Sequence, residues 1–404
     1  MRRSSRIWGI PLEANELRVG VIGVGNIGSA HASAILAGDI AGMRLAALCD
    51  VDAAHLSRIS GRYPGVPTFG TAEALIESGL CDTVIVSTPH YFHPPIASLA
   101  FRAGLNVLTE KPAGVTCEAV RVMMADAKRS GKAFGVMFNQ RTNKLFREAR
   151  ELVRSGVLGQ LTRCVWIITN WYRKQSYYDS GSWRASWRGE GGGVLLNQAP
   201  HNLDILQWIC GMPDHVYARC ETGRFHEIEV EDDATLMLRY DSGMTAVFIT
   251  TTGDYPGTNR LEITGTRGKI VIEGGKMIHT KAAMDEREYR YTAEGVDNTL
   301  TVMESVDEVR RGHPEILRNF ARHILYGDEL IASGYEAIGE LTISNAAYLS
   351  SWQGREISLP MDDALFAREL AARVAGGCAA ERADTREDVR FSYKERWNTN
   401  WNGA

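Results

Sequence analysis

The sequence predicts an α/β protein with two halves: an N-terminal doubly wound parallel sheet of Rossmann type, and a C-terminal α+β domain with a large, mostly antiparallel open sheet. Three observations predict it. An apolar strand from Leu17 runs into Gly23-Val24-Gly25-Asn26-Ile27-Gly28 and then a helix start reaching Leu36. Strand and helix patterns then alternate as far as Phe138, the signature of parallel βαβ units. From Val216 to Glu273 strands recur at hairpin spacing, around the turns Asp241-Ser242-Gly243 and Gly265-Thr266-Arg267-Gly268. A length of 404 residues suits two domains. We expect them at 1–140 and 141–355, followed by a tail at 356–404.

Composition excludes several classes. A net charge of −4 gives no electrostatic footprint for nucleic acid or a membrane surface. Arg2, Arg3 and Arg6 are followed by only a short apolar run, Ile7 to Ile10, before Pro11 and Glu13, so no signal-peptide core can be drawn. No run reaches membrane-spanning length. The expectation is a soluble, cytoplasmic protein with a frayed N-terminal extension. Its seven cysteines, from Cys49 to Cys378, never form C-x-x-C. They read as buried thiols in a reducing compartment, and no metal site is expected.

The glycine turn is the centre of the first half. A diphosphate there would meet backbone N–H groups and the positive end of the helix dipole. Gly23 permits the tight turn, Gly25 lets backbone approach the pyrophosphate, and Gly28 lets helix pack on strand, with Asn26 and Ile27 in the first helical turn. A second strand, Met43 to Cys49, ends at Asp50, 22 residues after Gly28, where a dinucleotide site needs a carboxylate for the adenosine ribose. A carboxylate repels a 2′-phosphate, so the cofactor expected is NAD rather than NADP.

After Asp50 come a polar helical stretch and a short strand near Val66 to Phe69. The β-branched run Thr83-Val84-Ile85-Val86 reads as a strand, Asp82 to Ser87, covered on both faces. It ends in Thr88-Pro89-His90-Tyr91-Phe92-His93, and a helix opens at Pro94. The strand Asn106 to Thr109 runs into Glu110-Lys111-Pro112; a helix, about Thr116 to Ser130, and a last strand, Ala133 to Phe138, follow. In doubly wound sheets ligands bind at carboxyl ends of strands, which assigns Ser87, Thr88, Pro89, His90, His93, Glu110, Lys111 and Asn139 to one crevice. His90 and His93 read equally well as loop histidines bonded to backbone. Lys111, fixed between a strand end and a proline, suits an ammonium that stabilises a developing alkoxide.

In the second half a helix, Asn143 to Ser155, precedes a long strand, Leu161 to Trp171. A loop dense in aromatics and arginines follows, with Tyr172, Trp183 and Arg184 as candidate substrate contacts for the apolar faces and hydroxyls of a carbohydrate. The alternative is that half of these rings pack an interface. After Gly191-Gly192-Gly193 one continuous helix is expected from Val194 to Ile209, placing Asn197, His201 and Asp204 on one face. There His201 can serve as general base, or can be a structural histidine satisfied by Asp204. The expected sheet must bury a face. This helix is expected to cover one side and a second subunit part of the other, no second run of helices being long enough. Late helices are expected at about Pro314 to Tyr326 and Tyr335 to Trp352; the tail has one amphipathic stretch and no assignment.

Together these residues resemble the glucose–fructose oxidoreductase, inositol dehydrogenase and MocA-like family over roughly residues 17 to 352. The resemblance rests on Gly23-x-Gly25-x-x-Gly28 with Asp50, Thr88-Pro89 with His93, Glu110-Lys111-Pro112, and the triple glycine with His201 and Asp204. It implies oxidation of a ring hydroxyl, at C3 in one reading, in a sugar, glycoside or cyclitol. Lys111 and His201 are then catalytic, with Asn197 beside the substrate, and chains pair through the open sheet as homodimers or homotetramers. Many family dehydrogenases carry aspartate where this chain has Asn197, which implies a weaker base at His201 or a larger part for Lys111. A sugar–sugar oxidoreductase with tightly held NAD and a non-catalytic NAD-binding sugar sensor are the competing expectations.

Overall fold

The structure, a computed structural model, describes residues 16–181, 183–307 and 312–377. The expected N-terminal extension, Cys378 and the tail beyond it lie outside the described residues. Six strands form the first sheet: β1 Leu17–Ile22, β2 Met43–Cys49, β3 Thr68–Phe69, β4 Thr83–Val86, β5 Asn106–Thr109 and β6 Phe134–Val136. They run parallel in the order β3-β2-β1-β4-β5-β6. The order reverses between β1 and β4, and the glycine turn leaves β1 at that point. Val19, Val21, Val84, Ile85, Val86, Val107 and Val136 are wholly buried, as expected of strands with helices on both faces. The sequence reading misses the short helix Ala72–Glu77, capped by Thr71, because six residues show too little periodicity.

Nine strands form the second sheet: β7 Leu161–Ile168, β8 His215–Thr222, β9 Glu231–Arg239, β10 Thr245–Thr251, β11 Asn259–Gly265, β12 Gly268–Glu273, β13 Lys276–Ala282, β14 Leu300–Val306 and β15 Ile357–Ser358. The order is β14-β13-β12-β11-β7-β10-β9-β8-β15, antiparallel except for the β7–β10 pair. Expected strands appear as β7 to β12; β13, β14 and β15 were not anticipated. β14 is exposed along nearly its whole length, so no burial alternation marks it.

One expectation about this sheet is corrected. Its inner face is covered by a second long helix, Ile338–Gln353, as well as by Lys144–Arg154 and Pro200–Cys210. Ser350 and Ser351 of the first accept the Ala218 and Cys220 N–H groups of β8 at 2.9 Å each, and Phe146 of the second packs its ring 5.7 Å from Trp166. Helix Ile338–Gln353 is buried around most of its circumference, so its pattern carries no amphipathic signal. The helix Asp363–Gly376 stacks Phe366 on Trp352, 5.6 Å between ring centroids, which ties it to the same core.

Candidate active site

Gly23, with φ +87°, lies so close to the end of β4 that a Cβ would stand 2.8 Å from the Ser87 carbonyl group. A Cβ on Gly28 would stand 1.9 Å from the Gly23 oxygen, so helix, turn and sheet are in backbone contact. Gly25 caps helix Asn26–Leu36 without any side-chain hydrogen bond, so no capping side chain takes up the first-turn N–H groups, and Asn26 there is exposed and Ile27 half-buried. Asp50 braces the turn, accepting the Val24 N–H at 3.1 Å and the Asp52 N–H at 3.0 Å. Ser87 Oγ and Thr88 Oγ1 are buried without a hydrogen-bond partner among the described residues. Open amides, a turn clear of side chains and two unused hydroxyls suit an NAD diphosphate and its sugar edges.

The turn after β5 carries Glu110 and Lys111. One Glu110 carboxylate oxygen meets His31 Nε2 at 2.8 Å, and the other accepts the Lys111 N–H at 3.3 Å. Burial alone would raise the Glu110 carboxyl, but the His31 hydrogen bond and charge outweigh it and hold it below its usual range. His93 is engaged on both ring nitrogens by backbone, the Pro112 oxygen at 2.7 Å and the Thr88 oxygen at 2.6 Å. It therefore braces the Lys111 turn against the end of β4. Half-buried Pro89 leads into this bracing. Asn139, after β6, places its amide nitrogen 3.5 Å from His313 Nδ1. Lys111 itself crosses between the halves and donates from Nζ to the Asn197 carbonyl at 2.5 Å. Burial lowers its pKa, with nearby Glu110 opposing.

The expected helix Val194 to Ile209 is corrected: it is two helices, Val194–Asn197 and Pro200–Cys210. Pro200 has no N–H to continue the first and sits comfortably at the start of the second. Asn197 and His201 therefore do not share a continuous helical face, though both reach the Lys111 region. His201 is buried with its ring 6.2 Å from Phe138, edge to face. Burial, and then the Lys111 charge, pushes it well below the usual imidazole value, so it is neutral at physiological pH. Asp204 has its own partner, a two-pronged contact with buried Arg141 at 2.6 and 2.8 Å.

The aromatic loop divides. Trp171, Tyr178 and Trp187 are buried packing. Trp183 stands edge-on to His90 at 5.7 Å and beneath the Arg184 guanidinium at 4.5 Å. Arg184 donates to the Tyr177 hydroxyl at 2.8 Å, which in turn lies 3.3 Å from the Asn197 amide nitrogen. Tyr172 is exposed and rests against Tyr255 at 5.2 Å instead of joining this cluster. Sequence reasoning missed Glu190, which bonds Asn197. The available signal was an acidic residue set directly before three glycines. Among the described residues no group of three His, Cys, Asp or Glu is placed to hold a metal ion, and no helix is long and apolar enough to cross a membrane.

Residues 17–138 match the family model described as "Oxidoreductase family, NAD-binding Rossmann fold", and residues 146–271 match that of the GFO/IDH/MocA C-terminal domain. The chain is 30% identical to the rhizopine catabolism protein MocA of Rhizobium meliloti over 195 residues, 48% of this chain and 57% of that protein. It is 27% identical to the D-glucoside 3-dehydrogenase of Escherichia coli, over 50% of this chain and 56% of that enzyme. The chain thus spans little more than half the length of these curated relatives. Among solved structures, the WlbA dehydrogenase of Bordetella pertussis, in complex with NADH and UDP-GlcNAcA, superposes with a TM-score of 0.72 at 26% identity. That likeness covers 86% of this chain and 100% of WlbA.

Proposed function

The chain belongs to the GFO/IDH/MocA oxidoreductase family, with its NAD-binding Rossmann fold, and from that premise we propose that it is an NAD-dependent dehydrogenase. Its substrate in this reading is a sugar, glycoside or cyclitol, oxidised at a ring hydroxyl carbon, C3 in a pyranose. Residues 1–140 hold the cofactor and 141–355 the substrate. The similarity to a glucoside 3-dehydrogenase and to a dehydrogenase solved in complex with NADH and UDP-GlcNAcA supports the substrate class. The observation that carries the reading is the Lys111 ammonium, held at the carboxyl edge of the first sheet yet bonded to Asn197 of the second half.

Bound NAD would lie along Gly23, Gly25, Gly28, Asp50 and Ser87, and supplies the hydride acceptor. Lys111 holds the reacting hydroxyl oxygen and stabilises the negative charge that grows on it. The neutral imidazole of His201 takes the hydroxyl proton. Asp50 at the end of β2 disfavours a 2′-phosphate, which supports NAD over NADP. The protein acts in the cytoplasm as a homodimer or homotetramer, a second copy covering the outer face of the nine-stranded sheet. The test is absorbance at the NADH band with monosaccharides, inositols and aryl glycosides. Reduction with one class, lost by at least ~10²-fold in Lys111→Ala, is expected; NAD binding without reduction by any class overturns the reading.

A further inference from the structure

Asn197 is the one half-buried residue of the short helix Val194–Asn197, and its amide is not free to turn. The amide nitrogen donates to a Glu190 carboxylate oxygen and lies 3.3 Å from the Tyr177 hydroxyl, so both its hydrogens have acceptors inside the protein. The Tyr177 oxygen is itself held by Arg184 at 2.8 Å. Glu190 is 1% exposed, and its second oxygen accepts the Ala185 N–H at 2.7 Å. Two N–H donors on two oxygens is the pattern of an ionised carboxylate, which can only accept; burial raises this carboxyl above its usual range, and the Arg184 charge, the two N–H bonds and the Lys111 charge oppose that rise. Ala185 has φ +53°, an unusual conformation for a residue with a Cβ, at the residue whose N–H meets Glu190. The Glu190 backbone is pinned as well, its carbonyl accepting from His90 Nδ1 at 3.0 Å.

We propose that Glu190 is a specificity-determining residue that sets the hydrogen-bonding sense of the substrate site by turning the Asn197 amide oxygen outward beside Lys111. The site then offers an acceptor at that point. It selects a hydroxyl or N–H neighbouring the oxidised carbon and rejects an ether, carbonyl or carboxylate there. This rests on the dehydrogenase reading for its substrate class, but the amide orientation stands on the protein alone.

Glu190→Gln makes a sharp test. The Ala185 N–H keeps the glutamine oxygen, so the glutamine NH₂ faces Asn197, which must answer with its own oxygen. The amide flips and presents NH₂ to the site. In full-length protein with ¹⁵N-labelled asparagine, the Asn197 side-chain amide, identified by its loss in Asn197→Ser, is expected to exchange hydrogen slowly. In Glu190→Gln it exchanges at least ~10-fold faster, and Tyr177→Phe falls between them. Exchange in the wild type as fast as in urea-unfolded protein overturns the orientation, and so does unchanged protection in Glu190→Gln.

The second arm is kcat/KM for methyl β-D-glucopyranoside against its 2-O-methyl and 4-O-methyl ethers. The wild-type preference for the hydroxyl, on the order of 10²-fold against one ether, falls at least ~10-fold in Glu190→Gln. An active variant with the preference intact overturns the specificity role. If the wild type oxidises neither glycosides nor cyclitols, the dehydrogenase reading fails while the exchange arm still decides the orientation.

Discussion

His31, on the helix that follows the glycine turn, places Nε2 2.8 Å from a carboxylate oxygen of Glu110, and both side chains are buried. The pair joins the element that would hold a diphosphate to the turn that carries Lys111. His313 tilts against His31 at 5.8 Å and closes the cluster.

Removing His31 leaves the Glu110 charge buried without its main partner. His31→Leu is expected to cost about 3 kcal/mol of stability, in the range for leaving a buried charged group without its hydrogen-bond partner. The double variant His31→Leu with Glu110→Gln recovers most of this, because no charge remains to be desolvated. Urea unfolding of the three proteins checks it. Equal losses in the single and double variants would show that the pair does not act as a unit.

The glycine turn separates stability from cofactor binding. A Cβ on Gly28 collides with backbone, whereas one on Gly25 meets nothing within 4 Å. Gly28→Ala is expected to lower the unfolding midpoint markedly. Gly25→Ala keeps stability within about 0.5 kcal/mol yet weakens NAD binding at least ~10-fold, since the methyl stands where the pyrophosphate must come close. Calorimetric titration with NAD alongside thermal unfolding reads both quantities.

Arg141 lies between the rings of Phe138 and Trp208, 5.6 and 5.2 Å away, while Asp204 grips two of its nitrogens. Burial pushes the Asp204 carboxyl up and the Arg141 charge pulls it back. Asp204→Asn is expected to destabilise by about 2 kcal/mol, because the charge-assisted pair of hydrogen bonds is weakened and the buried Arg141 guanidinium keeps Glu336 as its only carboxylate partner among the described residues. A change under about 0.5 kcal/mol in denaturant unfolding would contradict this.

The fold class was legible because it rests on local signals: β-branched runs, a glycine turn, and hairpins at regular spacing. That Lys111 and His201 come near one another was legible because a proline-locked strand end and a glycine-rich helix entry mark their positions. What escaped depends on contacts distant in sequence or on single residues overriding a pattern. Pro200 breaks an otherwise helical apolar stretch, and Arg141 takes Asp204 from 63 residues away. Glu190 precedes three glycines, but only the folded chain shows that it anchors Asn197. Tyr172 resembles its loop neighbours in composition, and only the path of the loop sends it to Tyr255.

The outer face of the second sheet bears one row across seven strands, in which Tyr217 faces Met237, Met237 faces Val247, and Val247 faces Val165. Beyond Glu262 the row continues through Val271 to Ile278. Met237 is 58% exposed and Tyr217 46%. So long a largely apolar row, with Met237, Tyr217 and Ile278 exposed among the described residues, suits a second copy of the chain. Sedimentation velocity is expected to give a dimer or tetramer that Met237→Lys dissociates; a monomeric wild type at tens of micromolar would refute it.

Two sets of buried groups pull stability in opposite directions with pH. Glu340 is wholly buried with neither carboxylate oxygen hydrogen-bonded among the described residues. Burial raises it well above the usual carboxylate range, with Asp204 adding to the effect and Lys111 opposing it. Burial likewise pushes Glu231 up to about 7. Groups raised in this way keep a proton that the unfolded chain has released. Their contribution is full below the unfolded value, roughly 4.3, and is lost as pH rises through the folded value. Burial lowers His90 and His201 well below the ordinary value, and His313 to about 4. The unfolded chain protonates these first, so their contribution is present above about pH 6.5 and is lost as pH falls toward the folded values. The two limbs cross between about pH 5 and 7, where stability should peak. Glu340→Gln keeps the volume and removes the titration, so between pH 5 and pH 8 it should lose less stability than the wild type, by about 1 kcal/mol or more. Urea midpoints at the two pH values decide this, because parallel losses in both proteins would mean that Glu340 is already ionised in the folded state.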